Sequence, residues 1–84
     1  MNRLTVNVEA PLIGEKYEFQ IDENSYICDL ISDFCEMICR KNQCVFLGDE
    51  EKLMLWDMRS LTPLKKDWTA ADCGLQNGMN LMLA

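Results

Sequence analysis

The spacing of apolar positions changes several times along the chain, and each change marks an element. Residues 2–9, NRLTVNVE, alternate: Leu4, Val6 and Val8 against Arg3, Thr5, Asn7 and Glu9. A period of two places the apolar set on one side of a half-buried strand. APLIG follows, where Pro11 and Gly14 mark a turn. Residues 15–21, EKYEFQI, alternate again, with Tyr17, Phe19 and Ile21 inward and Lys16, Glu18 and Gln20 outward. Two such strands joined by a short turn predict a hairpin, and the polar outer set predicts a sheet with one wet face.

The period then becomes helical. Ile27, Leu30, Ile31, Phe34 and Ile38 fall on one side, and Asp29, Ser32, Asp33, Glu36 and Arg40 on the other. This predicts an amphipathic helix over residues 26–40, opened by Asn24 or Ser25 as the cap. Acids early and Arg40-Lys41 late suit the helix dipole. Residues 42–51, NQCVFLGDEE, carry no clear period and are read as a loop. Lys52 to Met58 is a strand, and Leu61 to Leu64 a shorter one at an edge, because Pro63 cannot donate to a ladder. DWTAADCG predicts a single capped turn ended by Gly74, QNG another turn, and Met79 to Leu83 the last strand. The first and last strands, apolar on one face and free of Pro, belong in parallel at the sheet centre. One helix on one face of a mixed sheet is an α+β arrangement.

Length and charge narrow the function. At 84 residues the chain has room for one small domain, taken as residues 1–84. With 14 acids against 8 bases, no His and a net charge of −6, it repels phosphate backbones, so nucleic acid is not expected as a partner. No apolar stretch approaches the ~20 residues that span a bilayer, and residues 1–13 do not form a signal peptide. A cytoplasmic protein is expected, without membrane insertion.

The five cysteines are an odd number, which fits reduced thiols better than a disulfide framework. Cys28, Cys35 and Cys39 share a stripe about 40° wide on the helix. A thiolate metal site completed by Cys44 or Cys73 would need ligands that one helix does not bring to a tetrahedron. These cysteines are therefore read as structural, with redox sensing as the alternative, and no metal or cofactor is expected. Without His no Ser-His or Cys-His pair can form, there is no Gly-rich phosphate loop, and Asp49-Glu50-Glu51 reads as a solvated run. The chain is not expected to be an enzyme.

The last third carries a resemblance. DWTAADCGLQNGMNLML contains a turn with Asp72, then Gly74-Leu75, an Asn-Gly turn and an L-x-L strand. Together with the opening hairpin and the Ile27/Leu30/Phe34 stripe, it resembles the ubiquitin-like β-grasp fold. That resemblance implies a mixed four- to five-stranded sheet with one amphipathic helix packed on one face, and residues 42–51 as an insertion. ADCGLQNGMNLML is most similar to the YukD-like family associated with bacterial type VII (WXG100 or Esx) secretion. This implies an accessory, non-catalytic component whose partner is a protein, with the secretion machinery as the candidate.

Two roles then compete. A ubiquitin-like modifier or sulfur carrier needs a mobile tail ending in Gly-Gly beyond the last strand, because only Gly threads an activating enzyme's channel. Here Gly78 is the last glycine and Met79 to Ala84 read as strand, so conjugation is not expected. The alternative is docking. If Leu53, Leu55, Leu81 and Leu83 face the helix, then Met54, Trp56 and Met82 face away from it, on the side that partners of ubiquitin-like domains grip. Methionine is adaptable, and exposed apolar patches mark interfaces. The competing readings are weak homo-oligomerisation through this face, its cover by residues 42–51 through Phe46, or a register shift that turns it inward. Trp56 and Trp68 are each read as partly buried.

Overall fold

The computed structural model describes residues 3–11, 14–41 and 52–84. Among these residues, five strands and one helix follow in the order β1 (Arg3–Ala10), β2 (Glu15–Asp22), α1 (Ile27–Lys41), β3 (Leu55–Asp57), β4 (Thr62–Pro63) and β5 (Met79–Leu83). The strands form one sheet in the order β2-β1-β5-β3-β4. β1 is antiparallel to β2, parallel to β5, and β5 is antiparallel to β3. The two strands expected at the centre are thus adjacent and parallel.

The alternation read from the sequence decides which face is buried. Val6, Val8, Phe19, Ile21, Leu55, Leu81 and Leu83 point to the inner face, and Ile27, Leu30, Ile31, Phe34 and Ile38 of α1 meet them. The Phe19 and Phe34 rings stack with centroids 4.5 Å apart. Burying side chains of this size contributes ~1.5–3 kcal/mol each, and this layer is the main source of stability. The polar set of α1, including Asp29, Ser32, Asp33, Glu36 and Arg40, is exposed, and Glu36 pairs with Arg40 one turn on.

Helix capping differs from expectation. Neither Asn24 nor Ser25 supplies the cap: the first intrahelical bond runs from Leu30 N–H to the Tyr26 carbonyl. The free N–H groups of Ile27 and Cys28 instead donate to the carbonyls of Trp68 and Lys66, at 2.9 and 3.1 Å. A helix end needs acceptors for such groups, and a tertiary contact provides them here in place of a side chain. The segment 66–70 is pinned to the helix as a result, with Tyr26 and Thr69 forming an isolated bridge.

The closing turns follow their sequence chemistry. Thr69 N–H donates to Asp72 Oδ2 and Asp72 N–H to Thr69 Oγ1, a reciprocal pair that closes the DWTAADCG turn. Gly74, with φ 73°, ends it. In the QNG turn, Asn77 Oδ1 accepts from Thr5 N–H at 2.7 Å, and Gly78 N–H donates to the Thr5 carbonyl at 2.7 Å. That turn therefore sets the register of β5 against β1.

β3 is shorter than the strand expected over Lys52 to Met58, and β4 is only Thr62–Pro63. Hydrogen bonding nevertheless extends past both ends of β3. Met54 and Ala84 exchange two backbone bonds of 2.9 and 3.0 Å, and Met58 N–H donates to the Asn80 carbonyl. The expected loop over residues 42–51, with Cys44 and Phe46, lies outside the described residues.

Candidate protein-docking face

The register fixes the outer face residue by residue. Trp56 lies across from Met82, and Met54 is backbone-paired with Ala84 two residues along the same edge of β5. Opposite residues in an antiparallel pair share a face, and diagonal ones lie within reach of long side chains. Met54, Trp56 and Met82 thus come together on the side away from α1, as the alternation anticipated. Each is half-buried, between buried Leu53, Leu55, Leu81 and Leu83. Pro63 of β4 pairs with Trp56 on one side, and Glu9 of β1 lies beside Met82 on the other.

Two members of this face were missed in the sequence. Met58 lines a shallow hollow of about 200 Å³ with the outer-face residues Asn7, Glu9, Lys16 and Asn80. Simple alternation over positions 54, 56 and 58 contains that signal. Pro63 carries no such signal, because its place depends on the β3–β4 pairing. The outer face consequently has two halves. One is apolar, around Met54, Trp56 and Met82; the other is polar, where Asn7 Nδ2 donates to Asn80 Oδ1 at 3.3 Å.

The Trp56 indole is unusual. Its Nε1 is buried and has no hydrogen-bond partner, alone in this among buried side-chain nitrogens and oxygens of the described residues. A buried unmade donor costs ~1–3 kcal/mol. The partial burial expected of Trp56 holds. Trp68 is more open, at 41% exposed, with Lys65 Nζ 4.6 Å from its ring centroid. Its carbonyl accepts from Ile27 N–H at the helix N-terminus.

The β3–β4 turn holds a further anomaly. Leu61 has φ 55° and is 65% exposed. This left-handed conformation is unfavourable for a side chain with a Cβ.

The helix cysteines do not converge. Cys28 is exposed, Cys35 is buried and Cys39 is intermediate. Among the described residues no group of three or more His, Cys, Asp or Glu is placed to hold a metal ion. Burial raises the Cys73 thiol above its ordinary pKa, opposed by a hydrogen bond with the Lys65 backbone and reinforced by the nearby Asp72 and Asp67 carboxylates. Among the described residues no helix is long and apolar enough to cross a membrane.

No protein-family model matches the chain, and no curated protein matches it. Solved structures do. The EccD5 ubiquitin-like domain from Mycobacterium xenopi is similar with a TM-score of 0.78 at 18% identity, covering 100% of this chain and 94% of that one. A ubiquitin from Caldiarchaeum subterraneum gives 0.71 at 13% identity, over 98% and 91% of the two chains. The ubiquitin-like domain of an Arabidopsis thaliana protein gives 0.73 at 12% identity, over 100% and 78%. Identities this low carry the fold and no more. With one helix on a five-stranded mixed sheet among the described residues, this chain has the ubiquitin-like fold.

Proposed function

We propose that this chain is a non-catalytic protein-interaction module that docks the apolar half of its outer sheet face, Met54, Trp56 and Met82, on a partner protein. The observation that carries this reading is the cross-strand pair of Trp56 and Met82 on the face that α1 leaves open. A large aromatic and two adaptable methionines in register form a rigid platform with a compliant surface. The ubiquitin-like fold generally serves as such a module.

The proposed setting is the bacterial cytoplasm, as an accessory component of type VII secretion. Two things support it: the YukD-like resemblance of Asp72-Cys73-Gly74 and Asn77-Gly78, and the likeness of the whole fold to the EccD5 ubiquitin-like domain. The test is export of small WXG-type proteins by cells of the source organism carrying Met82→Lys. Export is expected to fall with the variant's own level unchanged. Unchanged export contradicts the secretion setting.

The second reading, a modifier or sulfur carrier, is addressed by intact mass after incubation with ATP and an activating enzyme. No adenylate, thioester or thiocarboxylate is expected.

A further inference from the structure

Beside the docking face lies a second feature with its own chemistry. An open groove of about 570 Å³ runs past the end of β4, floored by Met54, Pro63 and Leu64 and rimmed by Lys52, Lys65 and Lys66. Three of the eight basic residues of a chain with net charge −6 thus line one depression. Among the described residues, Asp67 is the only acid of its lining. Lys52 and Lys65 are exposed, and Lys65 is held over the exposed Trp68 ring.

From this local reversal of charge we infer that the groove takes an acidic segment of the partner protein that also carries a large apolar side chain. The inference rests on the docking reading above, since Met54 belongs to both surfaces. Met54 and Pro63 offer apolar contact, and the lysines offer charge to Asp or Glu flanking the apolar residue. The mode is side-chain docking rather than strand addition. β4 is a two-residue edge, and Pro63 has no N–H to donate to another strand.

The overall charge and the groove predict opposite preferences, which makes the test decisive. A fluorescein-labelled peptide with a Leu-Phe-Leu centre flanked by Glu and Asp is compared with its counterpart flanked by Lys and Arg. Binding is read by anisotropy and by amide chemical shifts of the full chain. The acidic peptide is expected to bind more tightly, more so at low salt, with shifts gathered on Lys52, Met54 and Leu64 to Lys66. The double variant Lys52→Glu/Lys65→Glu, checked for folding by circular dichroism, is expected to lose about tenfold in affinity for it. Replacing the peptide's Leu-Phe-Leu by Ala is expected to abolish binding.

Equal or tighter binding of the basic peptide overturns the inference, as do shifts located elsewhere or an unaffected double variant. Self-association of the free protein that the double variant abolishes also overturns it, since the occupant is then a second copy. Failure here is separable from failure of the docking reading. A cross-linker at position 82 that still captures a partner, with no preference for the acidic peptide, removes only the groove's proposed ligand.

Discussion

Trp56 and Met82 stand directly opposite each other on β3 and β5, on the face that α1 does not cover. Their immediate sequence neighbours Leu55 and Leu81 are fully buried on the other side. Single-residue alternation thus separates the proposed docking face from the core, and substitutions one position apart should have different consequences. Leu81→Asp buries an unpaired charge and should unfold the protein. Met82→Lys should stay folded, within about 1 kcal/mol of the parent, because Glu9 lies beside it. Met82→Asp should also fold, but cost about 1 kcal/mol more, from repulsion by that same Glu9. Met54→Asp should likewise fold, and all three outer-face variants should lose the partner. Urea unfolding with a partner-binding assay checks both halves; unfolding of Met82→Lys assigns Met82 to the core.

The Trp56 indole N–H lacks an acceptor. Trp56→Phe removes a donor whose burial costs ~1–3 kcal/mol and loses part of the ring's apolar contact. The two effects oppose each other, so stability should change by less than about 1 kcal/mol. A urea midpoint corresponding to a loss above ~2 kcal/mol would mean that the N–H is satisfied in solution.

Leu61 holds a left-handed backbone conformation with an exposed apolar side chain. Asn tolerates this region better than Leu, without the added unfolded-state entropy of Gly. Leu61→Asn should therefore stabilise by about 0.5–1 kcal/mol. Equal or lower stability by chemical denaturation shows that Leu61 makes contacts that outweigh the strain.

The order of elements was legible in the sequence because each rested on a strong period: the alternation of Leu4, Val6 and Val8, the helical spacing from Ile27 to Ile38, and Leu81 and Leu83 after the Asn77-Gly78 turn. What escaped was set by tertiary contact. No local pattern shows that the Trp68 and Lys66 carbonyls accept from the first N–H groups of α1. The make-up of the outer sheet face was half legible. Met54, Trp56 and Met82 follow from alternation, Met58 was available by the same rule, and Pro63 depended on strand pairing. The basic groove was not legible at all, since Lys52 and Lys65-Lys66 come together only when β4 folds back along β3.

Burial holds the Cys73 pKa above its ordinary value, so the folded state keeps that proton more tightly than the unfolded chain does. The associated stability is complete below the unfolded thiol pKa, ~8.5, and is lost as pH rises through the folded value. Stability should fall in alkaline solution, and Cys73→Ala should make that fall shallower. Identical pH profiles for the two proteins refute the assignment. At neutral pH, maleimide should label exposed Cys28 well before buried Cys35, as read by peptide mass.

The most direct measurement is photo-cross-linking in cells of the source organism, with p-benzoylphenylalanine at position 82 and, separately, at position 20 on the outer side of edge strand β2. If the apolar half of the sheet face is the docking surface, position 82 gives a discrete adduct with one partner protein. Trp56→Asp removes that adduct, and position 20 gives none. An adduct at position 20 alone, or an adduct at 82 indifferent to Trp56→Asp, contradicts the account.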